Sequence, residues 1–267
     1  MKKIEYKKWI RNIALLLLAC LSYILFSAAI YETIPNKLSK NIIRIAYVNL
    51  NKSPISKEEL LKYSKFDCDL WLFAEWNGNN LQNSSEFRNG YTTVFEKSHK
   101  GTYGFMVMAK SELELSAAEI NLINKNYVCN YAKIGVNHER FHLAFLHAPP
   151  PVPSCKYETS AYISDALAHL KQKEGKNPQL IIGDLNLLST SSSYKNLIQS
   201  GFRDIFETKS LFKGTFGGSK YIPKFLRIDY AFTNKKSTLP RSYRFKLSSS
   251  DHCGLLIDLD IQQVGQK

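Results

Sequence analysis

The chain has 267 residues, 44% of them apolar, and its 36 Lys and Arg against 23 Asp and Glu give a formal net charge of +13. That is enough apolar material for one full-sized domain, and a surplus this large attracts polyanions such as nucleic acid, anionic head groups or phosphorylated sugars, a Lys-rich codon usage being the bland alternative. The five cysteines match neither a zinc ribbon nor a CxxC pair, which argues against a metal–thiolate centre, and no Lys/Arg run is dense enough for an obvious nucleic-acid arm.

Residues 1–11 hold Lys2, Lys3, Lys7, Lys8 and Arg11 against Glu5 and form a basic, cytoplasmic N-terminus. An uncharged run follows within 12–31, IALLLLACLSYILFSAAIY from Ile13 to Tyr31, roughly 28 Å long as a helix and so about the thickness of a bilayer's hydrocarbon core. It predicts a single-pass anchor in a bacterial inner membrane with the remainder exported to the periplasm or beyond. A signal peptide cleaved near Ser27-Ala28-Ala29 is the competing reading. An exported location would permit disulfides among Cys68, Cys129, Cys155 and Cys253, of which Cys129 and Cys155 are closest in sequence, but the connectivity stays open.

Residues 32–41 read as a linker and 42–267 as one domain. IIRIAYV predicts a buried strand ending at Asn49, and Ser56-Lys57-Glu58-Glu59 has capping-box spacing for a short helix through Tyr63. DLWLFAE is the next strand, ending at Glu75, followed by the polar loop WNGNNLQNSS. TTVFEK, GFMVMAK, LELSAAEI, YVCNYAKIGV and RFHLAFLH follow as strands, the last ending at His147. APPPVPS breaks the pattern before a helix from about Tyr157 to Gln172. QLIIGD is a strand ending at Asp184, SSSYKNLIQSG a helix with a glycine stop, and FLRIDYAFT and GLLIDLD are closing strands. So many strands with few helices predict an α+β fold, a sandwich of two mostly antiparallel sheets with helices outside.

The polar residues at the strand ends carry the chemistry. Glu75 leaves a buried strand as a rigid hard-oxygen donor suited to magnesium, and Asn49 and Asn51 can add amide oxygens, although a rim charge and turn amides are what such residues usually are. In GDLN, Gly183 permits a tight turn and Asp184 and Asn186 project to one side, where a carboxylate can hold a water or leaving oxygen and an amide can donate to a phosphoryl oxygen. Asp229 lies in an apolar run and needs a buried partner; His252, beside Asp251, can be that partner and a proton acceptor. His147 is a second imidazole, set by the prolines that follow, whereas His99, His138, His142 and His169 read as structural.

Taken in order, Asn49, Glu75 in DLWLFAE, GTYGFMVMAK, His147, GDLN, GFRD, GTF, RIDYAF and SDH resemble the endonuclease/exonuclease/phosphatase superfamily over roughly residues 42–260. The resemblance implies a four-layered α/β/β/α sandwich and a magnesium-dependent hydrolase of phosphate esters, with manganese as a substitute ion, acting as a monomer. It implies that Glu75 binds the metal with Asn49 and Asp251 nearby, and that His252, oriented by Asp229, is the base or acid at the attacking water. His147 and Asn186 would bind the scissile phosphate, and Asp184 would position the nucleophile or protonate the leaving group. Gly254 and Lys110 depart from the proline and arginine common in the family, and neither removes a catalytic group. A nuclease or other phosphodiesterase is the first expectation because the domain is basic; a phosphatase or sphingomyelinase-like phospholipid hydrolase at the membrane is the second, and an inactive nucleic-acid- or lipid-binding module the third.

Overall fold

The computed structural model describes residues 2–29, 31–39, 41–81, 85–99, 102–121, 128–136, 139–152, 158–174, 179–206, 213–219, 221–234 and 241–260. The helices are α1 (Lys2–Ala29), α2 (Lys57–Ser64), α3 (Ser85–Arg88), α4 (Thr159–Glu174) and α5 (Ser192–Gln199). The strands are β1 (Ile42–Asn49), β2 (Leu70–Ala74), β3 (Tyr91–Lys97), β4 (Phe105–Lys110), β5 (Glu114–Asn121), β6 (Val128–Val136), β7 (Glu139–His147), β8 (Leu180–Asp184), β9 (Arg203–Asp204), β10 (Asp229–Thr233), β11 (Arg241–Lys246) and β12 (Cys253–Asp260).

Two six-stranded sheets result, in the orders β11-β12-β1-β2-β4-β3 and β5-β6-β7-β8-β10-β9. Alternation along β1 explains the layering: Ile43, Ile45 and Tyr47 point to the shared core between the sheets, with Leu72, Phe145, Ile182 and Leu255, while Ala46 and Val48 point outward to Leu60 and Tyr63 of α2 and Phe87 of α3. The other sheet buries its outer face under Tyr162, Ile163, Ala166 and Leu170 of α4 and Tyr194 and Leu197 of α5. These are the four expected layers. Ser56 caps α2, its hydroxyl accepting from the Glu59 amide at 3.2 Å, and Ser191 caps α5 in the same way.

The sheets are mixed, each holding one parallel pairing, β1 with β2 and β7 with β8. Helices α2 and α4 are the crossovers that parallel pairing requires. Parallel neighbours end at the same edge, so Asn49 lies opposite Ala74, the residue before Glu75, and His147 lies opposite Asp184. Antiparallel β10 begins beside the end of β8, with Asp229 opposite Asp184, and antiparallel β12 begins beside the end of β1, just after His252. Strand polarity alone brings these ends to one rim.

Gly183 is required by the close approach of β7: with φ +148°, a Cβ there would lie 1.8 Å from the Leu146 carbonyl oxygen. Strand β11 was not expected from the sequence; its Arg244 is fully buried, donating to the Gly214 carbonyl. Arg44 is likewise buried inside β1 in a two-bond pair with Asp258, at 2.6 and 2.8 Å.

The linker packs against the domain. Glu32 accepts from Lys213 Nζ at 2.9 Å and from the Arg244 amide at 3.0 Å, and Lys37 pairs with Asp69 at 2.6 Å. Upstream, α1 is continuous and Leu15, Leu16, Leu17, Leu18, Leu21 and Phe26 are exposed rather than packed on the sandwich. The expected transmembrane span is not found as such: among the described residues no helix is long and apolar enough to cross a membrane, and the side chains at 24, 25 and 27–29 of the apolar run lie outside the described set. Cys68 and Cys253 are buried free thiols; Cys155, and with it the Cys129–Cys155 pairing, falls outside the described residues.

Candidate active site

The eight expected residues share one cleft at the common sheet edge, four from each sheet. Asn49, Glu75, Asp251 and His252 come from the ends of β1, β2 and β12; His147, Asp184, Asn186 and Asp229 come from the ends of β7, β8 and β10. Asp184 is the hub. Its Oδ2 accepts from Asn49 Nδ2 at 3.2 Å and lies 3.7 Å from His147 Nε2 and 3.8 Å from His252 Nε2. Its Oδ1 accepts from the Asn186 amide at 3.1 Å, and its own amide donates to the Tyr47 hydroxyl at 2.9 Å. Glu75 Oε1 is 3.9 Å from His147 Nε2, and Asp251 Oδ1 is 3.9 Å from His252 Nε2. Glu75 and Asn186 both hold left-handed backbone, φ +55° and +47°, unusual for side-chain-bearing residues and a mark of functional turns.

His252 forms the tightest pair of the site, its Nδ1 at 2.8 Å from Asp229 Oδ2. Burial pulls this imidazole toward the neutral form, but the charge and hydrogen bond of Asp229, with Asp184 and Asp251 beyond, outweigh it and raise the pKa to about 9. His147, buried against Tyr103 and Phe105, goes the other way: desolvation and then the positive charge of His252 push it down to about 3, so it is a neutral hydrogen-bonding group. Burial also raises Asp184 well above the usual carboxylate range, with Asp229 adding to the rise and His252 opposing it, and burial raises Glu75.

Three carboxylate oxygens in this cleft, Glu75 Oε2, Asp229 Oδ1 and Asp251 Oδ1, are buried without a hydrogen-bond partner in the protein. Orphaned anionic oxygens are costly unless a cation or proton satisfies them, and hard oxygen donors suit a hard divalent ion. The group with metal-ligand spacing among the described residues is Asp184, Asp229 and His252, whose donor atoms all lie within 4.8 Å of one another. This differs from the expected set of Asn49, Glu75 and Asp251, although the 2.8 Å contact between His252 and Asp229 has the geometry of a hydrogen bond.

Several supporting residues escaped the sequence reading. Thr215, in the GTF fragment, accepts from the Asp229 amide at 2.9 Å and so fixes the start of β10. Ser250 donates to the Asn49 carbonyl at 2.8 Å and accepts from the His252 amide at 3.1 Å. The buried Lys224 donates to the Ser219 and Ser250 carbonyls at 3.0 and 3.3 Å, and the Phe216 ring packs 4.9 Å from that of His252. A lysine in a loop carries no pattern to flag it; Ser250 of SDH and Thr215 of GTF stood in fragments visible in the sequence, without a task. Asn51 holds its amide on the Asn49 carbonyl side chain at 3.0 Å, a turn role rather than a separate ligand. His142 and His169 lie outside the cleft, and His138 outside the described residues.

Beside Asn186, whose Nδ2 donates to the Ala148 carbonyl at 2.9 Å, a cleft of about 710 Å³ opens between Pro150, Val152 and Glu158 on one side and Leu187, Leu188 and Thr190 on the other.

The Endonuclease/Exonuclease/phosphatase family model matches residues 48–252, from one residue before Asn49 to His252 itself. The chain belongs to this family of hydrolases acting on phosphate esters. Among solved structures, the human Nocturnin catalytic domain with bound sulfate is 18% identical, covering 82% of this chain and 94% of that one, with a TM-score of 0.62. D. rerio TDP2 complexed with single-strand DNA product is 18% identical over 81% of this chain and 98% of that one, TM-score 0.61. The Bacteroides thetaiotaomicron mannosyl-6-phosphatase is 15% identical over 81% and 99%, TM-score 0.57. These likenesses establish the shared fold. Comparison with curated proteins returns no match.

Proposed function

We propose that this protein is a divalent-cation-dependent phosphodiesterase, held at a bilayer by the apolar helix α1, and that nucleic acid is its first substrate class. The observation that carries the catalytic reading is the convergence of four groups from each sheet around Asp184. The net charge of +13 and the likeness to a TDP2 bound to DNA support the substrate. Glu75, Asn49 and Asp251 would hold the ion, magnesium or manganese, which when bound supplies positive charge to a phosphoryl oxygen.

His147, neutral, and the Asn186 amide donate hydrogen bonds to phosphoryl oxygens as charge builds there. Asp229 fixes His252 through Nδ1 and leaves Nε2 to exchange a proton with the attacking water. Asp251, which adds to the hold of Asp229 and Asp184 on the His252 proton, is one of the groups that would hold the cation, so loading the site would shift His252 toward its base form. Asp184, raised by burial, can carry a proton to the leaving oxygen.

Full-length protein in vesicles should hydrolyse a bis-aryl phosphodiester with magnesium and stop in chelator, and Asp184→Ala or His252→Ala should slow it by about 10²–10⁴-fold. Variants as active as the parent would refute the mechanism. A second reading, a phosphate ester of an amphiphile, is favoured by the largely apolar cleft beside Asn186, where the described lining carries Glu158 and no Lys or Arg. DNA, RNA, phospholipid and sugar-phosphate substrates compared side by side distinguish the two.

A further inference from the structure

The hairpin between the GTF and RIDY fragments has an apolar tip. Tyr221 is 85% exposed, Ile222 44%, Phe225 43% and Leu226 39%, so four large apolar side chains within six residues face outward. Outside α1, no other described segment gathers so many, and soluble domains seldom leave such a group uncovered without a use for it.

The hairpin is firmly built. Phe216 and Leu226 exchange backbone hydrogen bonds at 2.8 and 3.0 Å, and the two arms approach so closely that a Cβ on Gly214 would lie 2.3 Å from the Phe225 carbonyl carbon. Lys224 ties the tip to the loop before His252, and Phe216 itself bridges to His252. The position of the tip is thus linked to the catalytic edge.

The base of the hairpin is also where the chain arrives from α1. Glu32, three residues after Ala29, holds Lys213, the residue immediately before Gly214, and Tyr31 lies 5.5 Å from the Arg244 guanidinium. An apolar helix and an apolar hairpin therefore meet the sandwich at one place, on a protein whose charge of +13 complements an anionic surface.

We infer that the hairpin of residues 214–219 and 221–226 is a lipid-docking element: its tip, Tyr221, Ile222 and Phe225, seats in the interfacial layer of an anionic bilayer and sets the catalytic edge against that surface. The inference rests on the reading of α1 as the membrane-held helix. It holds whether the phosphate ester hydrolysed is itself a lipid or is delivered to the surface.

The test is tryptophan quenching in the full chain. In a Trp9→Phe, Tyr221→Trp protein the other indoles, Trp71 and Trp76, are fully buried and out of reach of lipid. Reconstituted in phosphatidylcholine/phosphatidylglycerol vesicles, this protein should show an emission component quenched by brominated lipid, and the Trp9→Phe parent, whose two indoles are buried in the protein, should show none. Adding Ile222→Asp and Phe225→Asp should abolish the quenching and leave hydrolysis of a soluble aryl phosphodiester unchanged. Flotation with vesicles reads the anchor separately. A protein that floats but shows no quenching overturns the docking and spares the anchor; one that does not float overturns both. Self-association through the tip in detergent, without quenching in vesicles, would make the patch a contact between copies and would also overturn it. Absence of hydrolysis in every form would refute the catalytic reading while leaving the quenching result to judge the hairpin.

Discussion

His147 and His252 lie in one cleft, yet their surroundings drive them to opposite charge states, and each has a consequence that can be measured. Replacing Asp229 by Asn removes the largest charge that raises His252, leaving burial opposed only by Asp184 and Asp251. The His252 ring should then titrate well below about 9 in a nuclear magnetic resonance experiment, and turnover should fall by about 10²–10⁴-fold. An unchanged titration would show that Asp229 is not the cause.

The same two shifts act on stability in the chelated protein. His252 titrates near 9 folded against 6.5 ordinarily, so its stabilisation is fully present below about 6.5 and is lost as pH rises through 9. His147 titrates near 3 folded against the same 6.5, so the unfolded chain takes up its proton first and stability is lost as pH falls from 6.5 toward 3. Thermal melting of the parent should therefore decline more steeply between pH 6.5 and 9 than that of His252→Asn, and parallel curves would contradict the assignment. Most of these residues were legible one by one, because each closes an apolar run. Lys224 was not, and for Thr215 of GTF and Ser250 of SDH the task was not, since their value lies in which backbone groups they meet across the fold.

At the scale of elements, the site depends on the two parallel pairings. Gly183→Ala would force a methyl into the Leu146 carbonyl and pry β8 from β7 where His147 faces Asp184. A loss of about 3 kcal/mol in denaturant unfolding is expected, with a fall in activity exceeding what instability explains. Strands β1, β2, β7, β8 and β12 were readable from their apolar runs. Strand β11 was not, because RSYRFK places Arg244 inside, where the Glu32 carboxylate 3.8 Å from Nε and the Gly214 carbonyl make a charge tolerable. Nor does a strand's own sequence fix its polarity, so the mixed character of the sheets had to come from the crossovers through α2 and α4.

For the molecule as a whole, the orphaned oxygens of Glu75, Asp229 and Asp251 make cation binding a contribution to folding. Magnesium or manganese at about a hundred times its dissociation constant should stabilise the protein by about 2.7 kcal/mol, a shift visible in calorimetry. Glu75→Gln should reduce that shift, and a melting temperature indifferent to both ions would count against the carboxylates as ligands.

The acid–base partners Asp229 and His252 belong to different halves of the sandwich, as do Asn49 and Asp184. Neither half holds a usable fragment of the machinery. Hydrolytic competence therefore requires both sheets to be formed and docked on one another.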